Sequence, residues 1–280
     1  MKLGKDNTSR EAMKMFGKYG VEIEMTGLTR DEAAKVIRRA LREIGKDNTG
    51  WNVARDSSIE ATSEAKQVEV VTPPMKWEEI GALKHVVKRL REAGAEVNKS
   101  CGIHVHVDGS SHTPKTVKNL VNLMARWQEV LIEALEVHPS RLSRYTRRIS
   151  DIKVEEINGA KDSWEDIKNA WYRGCYDNRT WKYNETRYHT LNLHSLFYRG
   201  TVEFRLFNAT LDEEKIGAYI MLAMAMNNAA LKMSSRRRKK AEHQTTKDAV
   251  RHLLWELGIV GEEYRTYRRA LMGKYYRRAA

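Results

Sequence analysis

The sequence predicts an α+β fold: a mainly antiparallel sheet with helices packed on one face. Three observations predict it. Short segments that alternate polar and apolar residues are interspersed with longer segments of helical period. Their order is strand, helix, strands, helix, strand, helix and then a strand pair. In the charged strands one side of the alternation is apolar, so one face of the sheet is built to pack on helices.

Residues 19–26 (YGVEIEMT) alternate and read as the first strand. Thr29 opens a helix, because Glu32 sits three residues on and completes a capping box. That helix runs to about residue 44 and stops at Gly45. Residues 51–54 and 67–72 read as two strands, the second closed by Pro73-Pro74. A helix follows over 77–93 and ends at Gly94. Residues 103–107 (IHVHV) form a strand, and Pro114 starts a long helix through Val137. Residues 141–182 are irregular and rich in Arg, Trp and Tyr, with one helix expected at 164–171. Residues 188–194 and 201–207 read as two strands joined by a short connection containing Gly200. Leu211-Asp212 leads into an apolar helix to Met233. RRRKK at 236–240 reads as a linker or an exposed helix end, and two amphipathic helices at 245–257 and 262–276 finish the chain.

The 280 residues can bury a sizeable core, and 41% hydrophobic with 31% charged residues places the chain among globular proteins. Two cysteines, Cys101 and Cys175, are too few for a disulfide framework and fit a reducing compartment. The first 18 residues contain no apolar h-region of a signal peptide, and the longest apolar run, 216–226, is too short to span a bilayer. The expectation is a cytoplasmic protein without a membrane partner. Residues 232–280 hold 14 Lys and Arg against 5 Asp and Glu, so most of the net charge of +13 lies there. The expected organisation is a catalytic domain over 1–233 and a basic helical extension over 234–280, the latter open to an acidic or nucleic-acid partner.

The chemistry lies in paired residues on the strands. Glu22 with Glu24, His104 with His106, and Glu203 with Arg205 each stand at i and i+2, and another strand carries Glu69. Such pairs share a face at a spacing of ~6.6 Å. Their neighbours are apolar: Val21, Ile23 and Met25; Val68 and Val70; Ile103, Val105 and Val107; Val202, Phe204 and Leu206. A solvated sheet face ordinarily mixes Thr, Lys, Gln and Ser with charges of both signs. Four glutamates on one face repel one another unless cations neutralise them, and carboxylates suit Mg²⁺, which usually accompanies phosphate-bearing substrates. Gly102, just before the His104 strand, permits close approach to the backbone. Cys101 reads as packing rather than as a nucleophile.

YGVEIE, WNVARDSSIE…VEVVTPP, CGIHVHVD, Asn192 and TVEFRLF together resemble the amidoligase family, relatives of glutamine synthetases and glutamate–cysteine ligases, over residues 17–233. The resemblance implies a glutamine-synthetase-like catalytic domain on a curved sheet. It also implies an ATP-dependent ligase that joins a carboxylate to an amine through an acyl phosphate, with Mg²⁺ or Mn²⁺. By the same resemblance Glu22, Glu24, Glu69, His104 and Glu203 are metal ligands, with Asp56 beside them. The family's Asp-Gly-Ser turn is Asp56-Ser57-Ser58 here. His106 faces phosphate, Arg205 steadies the transferred phosphoryl group, and Arg187 and Asn192 lie on the nucleotide side. Arg205, His106 and Glu22 form the catalytic set.

The bottom-up chemistry agrees. Phosphoryl transfer to a carboxylate needs metals and a fixed cation, and an always-charged, planar guanidinium suits the second role. Two other readings use the same residues: a metal-dependent hydrolase or nuclease, and a non-catalytic module that binds anions through RRRKK and RRALMGKYYRR. Substrate choice is expected in residues 141–182, where Trp164, Trp171 and Trp181 are candidates to line a pocket.

Overall fold

A computed structural model describes residues 17–234 and 245–276. RRRKK at 236–240 lies outside the described residues.

Seven strands form one sheet: β1 (Lys18–Met25), β2 (Asn52–Ala54), β3 (Val68–Val71), β4 (Met75–Lys76), β5 (Gly102–Asp108), β6 (Leu191–Asn192) and β7 (Thr201–Asn208). Their order is β2-β3-β1-β5-β7-β6, with β4 also paired to β1, and every pairing is antiparallel. Across β1 and β3, Glu24 stands opposite Glu69; across β1 and β5, Glu22 stands opposite His104. His106 faces Glu203 across β5 and β7, and Asn192 faces Glu203 across β6 and β7. Register alone therefore gathers the charged pairs into one belt across the sheet.

The long helices are α1 (Arg30–Glu43), α2 (Ile80–Glu92), α3 (Pro114–Ala134) and, later in the chain, one over Glu213–Lys232. Thr29 and Glu32 make the reciprocal bonds of the capping box, and Gly45 follows α1 with φ of +69°. The Glu213–Lys232 helix is buried nearly all round, from Ile216 to Asn227, as a helix apolar on every side must be. It packs on β1, β5 and β7 and is flanked by α2 and α3. Phe207 stacks on its Tyr219 with ring centroids 4.3 Å apart.

Between α3 and that helix lie four short ones: α4 (Pro139–Arg144), α5 (Asp151–Gly159), α6 (Trp164–Trp171) and α7 (His194–Arg199). The Glu213–Lys232 helix is therefore α8, and α9 (Thr246–Glu256) and α10 (Arg265–Leu271) follow it. α9 packs on α3 and α10 on α8.

The structure corrects three local expectations. Residues 188–194 are not a full strand: only Leu191–Asn192 pair, and α7 begins at His194. The alternation of YHTLNLH imitates a strand, but the chain turns into α7, which Gly200 ends with φ of +81°. Residues 141–182 hold α4 and α5 as well as the expected α6. In β7 strict alternation breaks, because Ile103 pairs with Phe207 while Val105 pairs with Phe204. Arg205 and Leu206 thus share one partner position, His104, in a bulge that turns Phe207 toward the helices.

Candidate functional site

The β1–β3–β5–β7 belt forms the floor of a cleft of ≈ 560 Å³. Glu22, Glu69, His104, Glu203 and Arg205 open onto it, as do Asn192, Asp56 and Arg187. Glu24 and His106 belong to the same face but are buried behind that surface. All ten residues singled out in the sequence therefore lie in or directly beneath one site.

His104 sits at its centre. Its Nδ1 is 3.1 Å from Glu22 Oε2 and 3.8 Å from Glu203 Oε1, and its Nε2 is 3.5 Å from Glu24 Oε1. His106 Nε2 lies 3.3 Å from Glu22 Oε1 yet has no hydrogen bond of good geometry. Its Nδ1 is 3.0 Å from Thr201 Oγ1, which in turn is 3.0 Å from Ser195 Oγ. Arg205 Nη1 donates to Glu203, and Arg205 Nε donates to the Tyr145 carbonyl at 3.5 Å. Asn192 Nδ2 donates to the other Glu203 oxygen at 2.6 Å. Asp56 Oδ1 accepts the Ser58 N–H at 2.7 Å, so the loop closes on the Asp side chain without a glycine.

The carboxylates experience opposite fields. Burial pushes Glu203 upward, but Arg205 and then His106 outweigh it and hold the carboxyl down at about 2. Burial likewise opposes ionisation of Glu22, and His106 and His104 outweigh it, so its pKa falls well below the usual range. At Glu69 the lowering influence of Arg205 is outweighed. Burial, then the charges of Glu22, Glu24 and Asp56, push it up to about 9. Burial would lower His106, but Glu203 and Glu22 raise it.

Two groups could hold a metal ion: Glu22, His104 and Glu203, and Glu24, Glu69 and His104. Within each group the ligand atoms lie within 4.8 Å of one another. The donors are carboxylate oxygens with one shared imidazole, and Cys101 belongs to neither group. Such a set suits a hard divalent cation, Mg²⁺ or Mn²⁺. Burial and the negative charge of Glu22, Glu24 and Asp56 both push Glu69 upward, and that charge is what a cation would neutralise. The residues fit the ion.

A wall over residues 181–199 faces this floor and carries Trp181, Lys182, Tyr183, Arg187, Tyr188, His194, Tyr198 and Arg199 into the cleft. The Arg187 guanidinium lies between the Tyr183 and Tyr188 rings, 4.9 and 4.7 Å from their centroids. Arg199 Nη1 reaches 3.6 Å from Glu22 Oε1. Of the three tryptophans open in the sequence either to line a pocket or to pack on the sheet, Trp181 lines the cleft. Trp171 is buried edge-on to His189, and Trp164 packs on Phe197. Both stand on α6, whose apolar face serves the core rather than the cleft.

Sequence reasoning missed Arg199, Thr201, Ser195 and Arg141. Ser195 and Arg199 fall in the stretch that the sequence presents as a short connection between two strands, and the six-residue helix α7 formed there is too short to show a period. Arg141 lies in the segment without a pattern, yet it is 1% exposed and 4.0 Å from Glu24. Among the described residues no helix is long and apolar enough to cross a membrane.

Comparison with known proteins gave one family match. The profile of a family described as "Putative amidoligase enzyme" matches residues 17–227. No curated protein matches the chain. Among solved structures, the chain is similar to a bifunctional glutathione synthetase from Pasteurella multocida, at 12% identity and a TM-score of 0.40. The match covers 96% of this chain and 49% of the other, so the chain spans about half of that protein's length.

Proposed function

The chain belongs to the amidoligase family, and from that premise we propose that it joins a carboxylate to an amine with ATP as co-substrate, through an acyl phosphate. One observation carries this reading. A buried belt of four glutamates, two histidines and an arginine leaves Glu69 pushed up to about 9, a charge pattern completed by divalent cations and the phosphates they carry.

Glu22, Glu24, Glu69, Glu203 and His104 would hold Mg²⁺ or Mn²⁺, with Asp56 at the rim. An ion held by these residues would supply charge neutralisation at the phosphate oxygens, so that two anions could meet. Arg205 presents a fixed, planar cation to the phosphoryl group in transit, held in place by Glu203 and the Tyr145 carbonyl. His106 faces the phosphate from beneath, its ring anchored by Thr201. Arg187 and Asn192 flank the nucleotide side. An oxygen of the substrate carboxylate attacks the γ-phosphorus, the bond to the β–γ bridging oxygen breaks, and ADP leaves. The amine nitrogen then attacks the acyl carbon. The carbon–oxygen bond to phosphate breaks, inorganic phosphate leaves with that oxygen, and the nitrogen gives up a proton. No thiol takes part. Cys101 is buried, and burial pushes its thiol up and away from the reactive thiolate.

The test is ADP release with ATP, Mg²⁺ and pooled carboxylates and amines. Release that requires both pools is expected. With an active carboxylate labelled with ¹⁸O, one labelled oxygen should appear in inorganic phosphate. Amide formation without ADP, or hydrolysis of the pooled compounds without ATP, would overturn the reading.

A further inference from the structure

We infer that Arg141 is a positioning residue of this site: its guanidinium fixes Glu24 and the β7 bulge that aims Arg205, and Gly102 is glycine to make room for it. The inference rests on the ligase reading for the roles of Glu24 and Arg205, but not for its own geometry.

Arg141 stands on α4 and is almost wholly buried. A buried guanidinium is costly unless its donors and its charge are answered. Here Nη1 reaches the Ser100 carbonyl at 3.5 Å and Nη2 donates to the Arg205 carbonyl at 3.3 Å, while Nε is buried without a partner among the described residues. Glu24 Oε2 lies 4.0 Å from Nη1 and also accepts the Gly102 N–H. One side chain therefore ties the entry of β5, the inner carboxylate of β1 and the bulged backbone of β7.

Two further features match this role. A Cβ on Gly102 would fall 2.1 Å from Arg141 Nη2 and 2.5 Å from its Cζ, so the guanidinium occupies the space that any other residue would fill. The ends of α4 also straddle the bulge. His138, its N-cap, donates its N–H to Asn208 Oδ1 at 3.0 Å, just past the bulge. Tyr145, its C-cap, accepts from Arg205 Nε. A bulge is where a strand is free to re-aim side chains, and α4 clamps this one on both sides with Arg141 between. A residue that merely filled space would need neither the forked donors nor the missing Cβ.

Three variants test it, read by melting temperature and by Mn²⁺ binding through electron paramagnetic resonance, with and without a non-hydrolysable ATP analogue. Arg141→Lys keeps the charge and loses the fork. Gly102→Ala keeps Arg141 and displaces its guanidinium. Both should lower Mn²⁺ affinity roughly 10–100-fold, the range for losing an outer-shell partner, while the fold survives. Arg141→Ala should show the same loss, and free guanidinium at millimolar concentration should restore binding where sodium does not. Folded variants with unchanged Mn²⁺ affinity would overturn the inference. So would an Arg141→Ala protein that stays unfolded with guanidinium present, since Arg141 would then be a core residue only. If the wild-type protein releases no ADP with any substrate pool, the ligase reading fails while these binding results still decide the place of Arg141.

Discussion

The floor and the wall of the cleft are built in opposite ways. The floor stands on paired strands, is anionic, and keeps its carboxylates at fixed cross-strand positions. The wall, residues 181–199, stands on turns, the two-residue strand β6 and one short helix, and brings Arg187, Arg199 and Lys182 among aromatic rings. Their histidines report the difference. In the floor, burial alone would lower His106, but Glu203 and Glu22 raise it. Beside the wall, burial lowers His194 and takes His189 down to about 4, and neighbouring cations add to both effects. The floor is arranged to hold positive charge, and the wall to hold negative charge over it. A phosphate chain with its metal, as proposed, would satisfy both.

Within the floor the asymmetry is sharper still, and the largest expected effect tests it. Glu203 answers a buried arginine, so Glu203→Gln leaves Arg205 without its partner and should destabilise the protein by about 3–5 kcal/mol. Glu69→Gln removes a carboxyl that three like charges oppose and should leave the metal-free protein as stable as wild type or more so, while weakening Mn²⁺ binding. Denaturant titration of the two variants side by side checks this. Equal losses of stability would mean that the floor is not divided as described.

Arg205→Lys is the next test. Lysine keeps the charge and loses the planar, two-pronged donor. If Arg205 grips the phosphoryl group as charge moves onto its oxygens, turnover should fall by roughly 10²–10³ with little change in ATP affinity. Turnover near wild type would leave Arg205 as the salt-bridge partner of Glu203 and nothing more.

The same contrast sets what could be read in advance. Period-2 alternation carries the floor: Glu22, Glu24, Glu69, His104, His106 and Glu203 share a face because a strand leaves them no alternative. The wall has no period. Its side chains converge through tertiary packing, as where Asn184, wholly buried, bonds Thr186 and the carbonyls of Asp177 and Asn178 to shape the turn before Arg187. The β7 bulge leaves only a faint trace, since the alternation runs from Val202 to Leu206 and breaks at the adjacent apolar pair Leu206-Phe207, where one extra residue shifts Phe207 across the sheet. Asp56 and Arg187 were found through the family resemblance and not through any local pattern, and both line the cleft.

A smaller effect concerns the support behind the wall. His189 Nδ1 lies 2.9 Å from the Thr186 carbonyl, and its ring packs edge-on against Trp171. Burial, then Arg147 and Lys153, outweigh that carbonyl and depress its pKa to about 4. An unfolded chain protonates this histidine near 6.5, so the unfolded state binds more protons in between. Stability is thus complete above that value and is lost as pH falls toward 4. Discounted for partial exposure, the loss should be about 2 kcal/mol. It should appear as a pH-dependent gap between wild type and His189→Gln in denaturant titrations from pH 7.5 to 4.5. A gap that stays constant over this range would place the charged ring in solvent.

The smallest effect belongs to the wall itself. Arg187 is held flat between two tyrosines, donates Nη2 to Tyr188 Oη at 3.1 Å, and has a buried Nε without a partner. No ion-pair partner is found for it among the described residues, although Arg205, whose guanidinium also lies near the Tyr188 ring, is paired. Its charge is therefore free for a ligand. Arg187→Lys replaces a stacked plane with a compact, strongly hydrated ammonium and forfeits a cation–π contribution of about 0.5–2 kcal/mol. Binding, not chemistry, should suffer. The KM for ATP should rise roughly 2–30-fold, the same energy expressed as a ratio, while kcat stays within about a factor of three, as expected when uniform binding is removed. A variant that instead lowers kcat with KM unchanged would move Arg187 from the wall's task to the floor's, and the division between binding wall and reacting floor would have to be redrawn.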